Sequence, residues 1–250
     1  MRLDAALLGS ATNRMKVNTS PARCQLVSYG VPGDKQQRAL TERPRRTEEA
    51  TSMLTSPRDV EHHYPQWRNL LEKGHIIAAI RNVEALAAAA KSPTETVYLL
   101  FGNPLNIADL LRTVREQGKL PLVNLDLLAG FSRDTINAEY LASCGAAGIV
   151  STHSEVLRAS RRQGLITVQR TFALDSSAID AGLRTISQFV PDAIEILPAV
   201  AAPRVIGRFR QVHPNLRIMA GGLISDLKEV ETLLAAGIDA VSVSDPGFWI

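Results

Sequence analysis

Two acids, Asp126 and Glu195, stand among amides, hydroxyls and arginines in a pattern suited to binding or transforming a small polar molecule. Asp126 ends the run LPLVNLD and Glu195 lies inside AIEILP, while Arg81, Asn124, Thr152, Gln169 and Arg170 fall at or near the ends of other short apolar runs. Two carboxylates facing one space could serve as acid and base in a proton transfer. The same set, with no second catalytic signature, also describes a polar ligand pocket. Further along, RIMAGGLISD places Gly221 and Gly222 where an apolar run meets a helical segment, and AVSVSD places Ser242 and Ser244 at the end of the last run, with Gly247 beyond. Main-chain amides and hydroxyls free of side-chain bulk make a cradle for an oxyanion, and a phosphate is the expected occupant.

Other chemistries find less support. A Schiff-base aldolase needs a lysine inside the site. The lysines after Lys73 are Lys91, Lys119 and Lys228, all in predicted helices or loops. A metal-dependent epimerase needs histidines and carboxylates converging on one centre, and of His75, His153 and His213 only His153 sits near the end of a predicted strand. No metal and no cofactor are expected.

The elements that position these residues begin near His75. Strands are predicted at 76–80, 96–101, 120–126, 148–152, 165–170, 193–198, 217–222 and 240–245, with seven helical segments between them. Eight strands alternating with helices describe a (β/α)8 TIM-type barrel, short and with a truncated last helix. An open doubly wound sheet is the competing arrangement. In a barrel the binding face is built at the carboxyl ends of the strands, and alternation along each strand decides which side chains reach the axis. Val123, Leu125 and Leu127 suit the helix layer, which turns Asn124 and Asp126 inward. Ile194 and Ile196 leave Glu195 inside, and Val241 and Val243 leave Ser242 and Ser244 inside. Ile166 and Val168 are read as outward, so Thr167 and Gln169 are expected to point in, with Arg170 at the rim. Arg81 shares the face of Ile77 and Ala79.

The chain has 250 residues, 45% hydrophobic and 21% charged, as in an ordinary globular protein with a sizeable core. No apolar run is long enough to span a membrane, and the first residues make a poor secretory signal. Cys24 and Cys144, far apart, suit a reduced cytoplasm. Residues 1–73 carry 12 Lys and Arg against 8 Asp and Glu, show no sustained period, and are expected to be a largely disordered basic extension before a domain at 74–250. Met53 could be an alternative start of translation. Basic charge of this kind attracts nucleic acid. Two further arginine sets share helix faces: Arg158, Arg161 and Arg162 on one helix, Arg204 with Arg208 on another, Arg210 nearby.

The segments AAIRN, YLLFGNPLNI, LVNLDLLAGFSRD, AAGIVSTHS, TVQRTFALDSSAI, PDAIEILPAV, AGGLI and AVSVSD, in this order, resemble the glycerol-3-phosphate responsive antiterminator family over residues 75–246. The resemblance implies a barrel that binds glycerol 3-phosphate as effector and acts on leader mRNA to prevent premature termination of transcription of glycerol-use genes. It implies a phosphate at Gly221, Gly222 and Ser242 or Ser244, with the glycerol hydroxyls among Asp126, Arg170 and Glu195. The sequence departs from the family pattern at Asn124, where a histidine is common, at His153, where the rim residue is usually basic, and at Asp245, where asparagine is common. A ligand at the AGG loop would order the strand-exit loops and shift the population that binds RNA or a second subunit. The alternative is an isomerase or epimerase acting on a phosphorylated sugar.

Overall fold

The computed structural model describes residues 65–73 and 76–249. Eight parallel strands close on themselves in sequence order: β1 (Ile76–Ile80), β2 (Thr96–Leu99), β3 (Leu120–Asn124), β4 (Gly148–Ser151), β5 (Ile166–Phe172), β6 (Ala193–Leu197), β7 (Arg217–Gly221) and β8 (Ala240–Val243). β1 and β8 pair through Ile77 and Ser242, which closes the cylinder. The helices are α1 (Pro65–Lys73), α2 (Val83–Lys91), α3 (Ile107–Glu116), α4 (Thr135–Ser143), α5 (Ser154–Arg162), α6 (Ser176–Gln188), α7 (Ala202–Val212) and α8 (Leu227–Ala235). The open sheet is excluded. After β8 only a short 3-10 turn, Pro246–Phe248, stands in place of a last helix. Trp249 folds back behind it, buried, with its indole N–H donating to the Val243 carbonyl at 2.9 Å.

Local sequence sets the helix starts. Asn82, Asp134, Asp175 and Asp226 each cap the helix after a strand by accepting a main-chain amide, which satisfies donors that the first turn would leave unpaired. All four lie in loops leaving the carboxyl end of the barrel, so the same loops that end a strand fix the direction of the next helix.

Packing separates into an inner column and an outer shell. Ile77, Ala79, Tyr98, Leu122, Val150, Ile166, Val168, Ala193, Met219 and Ala240 form the column. Alternate residues such as Val123, Ile149, Ile194 and Val241 face the helices. The amino end of the column is closed by α1, whose Trp67, Leu70 and Leu71 are buried against it. Gln66 reaches the Gly118 carbonyl and Asn69 reaches Glu95, both at 3.4 Å. The last nine residues of the expected extension are therefore part of the barrel's floor, because three large apolar side chains spaced 67, 70 and 71 share one helix face. Residues 1–64, including the rest of the basic extension and Met53, lie outside the described residues.

Candidate functional site

At the carboxyl end of the column, Arg170, Glu195 and Ser242 form one connected group. Arg170 and Glu195 are register partners on β5 and β6, which brings them to the same face. The guanidinium donates to Glu195 Oε2 from Nε at 2.8 Å and from Nη2 at 2.7 Å, while the Ser242 hydroxyl donates to Oε1 at 2.6 Å. Glu195 is wholly buried and the Arg170 side chain nearly so. A buried carboxylate holds its charge only with such partners. Tyr98 lies below, its hydroxyl donating to Met219 Sδ at 3.2 Å. Burial, aided by Glu195 and opposed by Arg170, pushes the Tyr98 phenol well above its ordinary pKa. It stays protonated at neutral pH.

Gly221 is required by this group rather than by a ligand directly. It pairs with Ser242 across β7 and β8. A Cβ on Gly221 would fall on the Ser242 hydroxyl and stand 3.1 Å from Glu195 Oε1. Gly222 differs: it is exposed, has φ +77, and a Cβ there would meet only Leu197 at 3.5 Å. Leu223 follows with φ 59, so two left-handed residues in succession turn the chain outward. Among the described residues no acceptor takes the amides of Gly222, Leu223 or Ser244.

The N-terminus of α8 is capped by its own side chain at one amide only. Asp226 accepts the Glu229 amide at 2.8 Å, and Glu229 accepts the Ser225 amide, which lies before the helix, at 2.7 Å; among the described residues no acceptor takes the first-turn amides of Leu227 and Lys228. The Gly247 amide is likewise taken by Asp245 Oδ1 at 2.8 Å. An anion at this rim would rest on loop amides and on the edge of Arg170 left open by Glu195.

The remaining expected residues divide. Asn124 does face the axis and is fully buried, and neither its Oδ1 nor its Nδ2 has a partner among the described residues. Arg81 is exposed at the rim of β1. Asp126 does not face the axis as expected: β3 ends at Asn124, and Leu125–Leu127 coil into a 3-10 turn that breaks the alternation. Its carboxylate instead accepts the Ser151 hydroxyl at 2.8 Å, the Thr152 amide at 2.7 Å and the Thr152 hydroxyl at 2.8 Å. Arg133 and His153 stand 3.8 and 3.6 Å away. Burial pushes this carboxyl up, but the Thr152 amide, the Ser151 and Thr152 hydroxyls and His153 together hold it below its ordinary pKa. Asp126 thus ties the loop after β3 to the loop after β4.

The expected facing of β5 is corrected as well. Ile166 and Val168 lie in the inner column, so Arg170 points inward and Thr167 and Gln169 outward. Thr167 finds its partners outside the barrel, in Asp192 at 2.6 Å and Arg161 at 3.0 Å. Gln169 donates to the Thr152 and Arg170 carbonyls. Arg161 is mostly buried: it donates to the Val190 carbonyl at 2.7 Å, faces Asp192 at 3.4 Å, and lies 4.5 Å from the centre of the Phe189 ring. Arg158 donates to the Gln188 carbonyl at 2.8 Å. These two arginines anchor α5 to the segment before β6 instead of presenting a basic face. Arg162 and Arg204 are exposed, Arg208 pairs with Asp180 at 2.6 Å, and Arg210 reaches the Gly237 carbonyl.

Sequence reasoning missed an apolar rim. Val83, Leu105, Leu127, Phe172, Leu174, Val200 and Leu223 are all large, exposed and placed at or just after strand ends. A groove lined by Ala199, Val200, Pro203, Leu223 and Ile224 runs beside the Gly222 turn. The signal was present as single apolar residues inside otherwise polar loops. Tyr98 was legible too, as an inward position of TVYLLF.

Comparison with known proteins agrees with this architecture. The model of a family described as glycerol-3-phosphate responsive antiterminator matches residues 76–249. The Escherichia coli protein YgcP, described as uncharacterized, is 31% identical over 184 residues, spanning 72% of this chain and 94% of its own. The crystal structure of a glycerol uptake operon antiterminator-related protein from Thermotoga maritima has TM-score 0.64 and 27% identity over 70% of this chain and 98% of that one. That of a glycerol uptake operon antiterminator regulatory protein from Listeria monocytogenes has TM-score 0.67 and 27% identity over 70% and 94%. Orotidine 5'-phosphate decarboxylase from Pyrococcus horikoshii, 15% identical with TM-score 0.51, shares the fold alone. With its closed barrel and its family match from β1 to Trp249, the chain belongs to the glycerol-3-phosphate responsive antiterminator family.

Proposed function

We propose that the protein is a cytoplasmic sensor of glycerol 3-phosphate that acts on leader mRNA to prevent premature transcription termination. Family membership supports the regulatory role. The observation that carries the ligand reading is the set of unclaimed amides at Gly222, Leu223 and Ser244, which follow directly on Gly221 and Ser242 at the group where Glu195 fixes Arg170. The phosphate would sit on those amides with Arg170 as its counter-charge, and the glycerol portion would lie over the upper column. Among the described residues no helix is long and apolar enough to cross a membrane, in keeping with a cytoplasmic site of action.

A sensor is favoured over an isomerase by the state of the two acids. A general base needs a lone pair directed at a substrate proton. Thr152 takes both acceptor sites of Asp126 Oδ2 and Arg170 both of Glu195 Oε2, the other oxygen of each already carries a serine hydroxyl, and the two acids belong to separate groups. Ligand binding would order the loops after β7 and β8 and shift the population competent to bind RNA or a second subunit. Titration calorimetry with glycerol 3-phosphate is expected to give saturable binding. A gel shift with leader RNA at fixed salt is expected to respond to the ligand. Turnover of a phosphorylated sugar would point to the enzyme instead, and absence of both binding and RNA response would remove the reading.

A further inference from the structure

Asn124 has a place in the fold that the phosphate cradle does not explain. It is the inward residue at the carboxyl end of β3, two positions above Leu122 of the inner column. Its side chain is fully buried, yet donor and acceptor are both unmatched among the described residues. Each buried polar group left without a partner costs free energy that an apolar side chain of the same shape would avoid. Leucine or valine fills the inward positions below it, so retention of an amide here calls for something that uses both of its ends.

We infer that the Asn124 carboxamide reads the vicinal diol of a three-carbon polyol phosphate. Oδ1 would accept the proton of the central hydroxyl while Nδ2 donates to the oxygen of the terminal one. A ketone at the central carbon removes the hydroxyl proton and leaves Oδ1 unmatched in the bound state. Sites built around a substrate hydroxyl reject analogues lacking it strongly for this reason. Because Asn124 is fully buried, the ligand reaches it only when the mouth of the barrel opens above it. The two new hydrogen bonds then offset that opening. This assignment rests on the phosphate reading above and adds the basis for choosing alcohol over carbonyl.

The test is calorimetric titration of the full chain with three probes: glycerol 3-phosphate, dihydroxyacetone phosphate and inorganic phosphate. The wild type should bind glycerol 3-phosphate at least about tenfold more tightly than the ketone. In Asn124→Leu the thermal midpoint should hold or rise, binding of glycerol 3-phosphate should fall about tenfold, and the preference should vanish. A purely structural asparagine would lower the midpoint and leave the preference intact, which would overturn the assignment. Equal wild-type affinity for the two three-carbon ligands overturns it without any variant, while leaving the phosphate cradle standing. No binding of any probe would remove the cradle and this assignment together.

Discussion

At the amino end of the barrel, Asp192 and Asp239 each stand just before a strand and accept a main-chain amide of the preceding strand, Thr167 at 2.8 Å and Ile218 at 2.7 Å. Each is joined by arginine: Arg161 at 3.4 Å for the first, Arg210 and Arg217 at 3.3 and 3.2 Å for the second. At the carboxyl end Glu195 has partners of the same chemical types, Arg170 and Ser242, but all are side chains pointing into the column. Acids at the floor hold main chain to main chain. The acid at the mouth holds an arginine in a chosen direction. The difference teaches that buried ion pairs here divide by what they fix, and a change at each end should separate stability from binding.

The largest effect is expected at the floor. Trp67→Ala should cost about 4 kcal/mol, because it empties a fully buried indole from the base of the column. Deleting residues 1–73 should be as harmful as that substitution, whereas deleting 1–64 should spare the fold. Urea unfolding with paired ligand titration checks both, since the ligand stoichiometry of whatever remains folded should not change.

Asp192→Ala comes next, at about 3 kcal/mol, since it strands the mostly buried Arg161 and the Thr167 amide. Denaturant midpoints should fall without any selective change in ligand affinity. A selective loss of affinity would erase the proposed division between the ends.

Gly221→Ala should show the opposite balance. Crowding Ser242 and Glu195 should cost about 2 kcal/mol of stability, but its main effect should be on affinity. By turning Arg170 out of place it should weaken glycerol 3-phosphate about tenfold or more, measured by calorimetry on the folded fraction. Gly222→Ala, whose Cβ would make only an ordinary contact with Leu197, should act mainly through its left-handed backbone and lose less.

The smallest effect belongs to the loop tie. Asp126→Asn should cost about 1.5 kcal/mol at neutral pH by weakening three hydrogen bonds to a charged acceptor. The folded-state pKa of Asp126 is depressed, so its contribution is present above the unfolded value of about 4 and lost as pH falls below it. The stability gap between wild type and Asp126→Asn should therefore be flat above pH about 4 and close under it. A gap that widened with acid would reverse the assigned cause.

Much of this was legible beforehand, for reasons visible in particular residues. Strand and helix alternation survives in single sequence because both faces of each strand are buried and run apolar. Glu195 and Ser242 were placed correctly since isoleucine or valine flanks each on the helix side. The frame of β5 failed because polarity was taken to mean the axis. In fact Asp192 and Arg161 offer Thr167 partners on the outer side, while Ile166 and Val168 fill the column. Asp126 was misplaced since alternation holds only while the strand lasts, and the chain coils after Asn124. The helix α1 was hidden by its shortness: nine residues give a single buried face, and Trp67, Leu70 and Leu71 are its whole signal. Spacing alone placed Arg158, Arg161 and Arg162 on one face of α5, yet it could not show that the carbonyls of Gln188 and Val190 and the Phe189 ring lie within reach of the first two.

The most direct test follows individual amide resonances of 15N-labelled full-length protein during titration with glycerol 3-phosphate. The amides of Gly222, Leu223 and Ser244 should shift along one saturable curve, inorganic phosphate should move the same three, and signals at the floor such as Asp192 should stay still. Saturable shifts that bypass all three, or no shifts at any ligand concentration, would contradict main-chain capture of the phosphate at this rim.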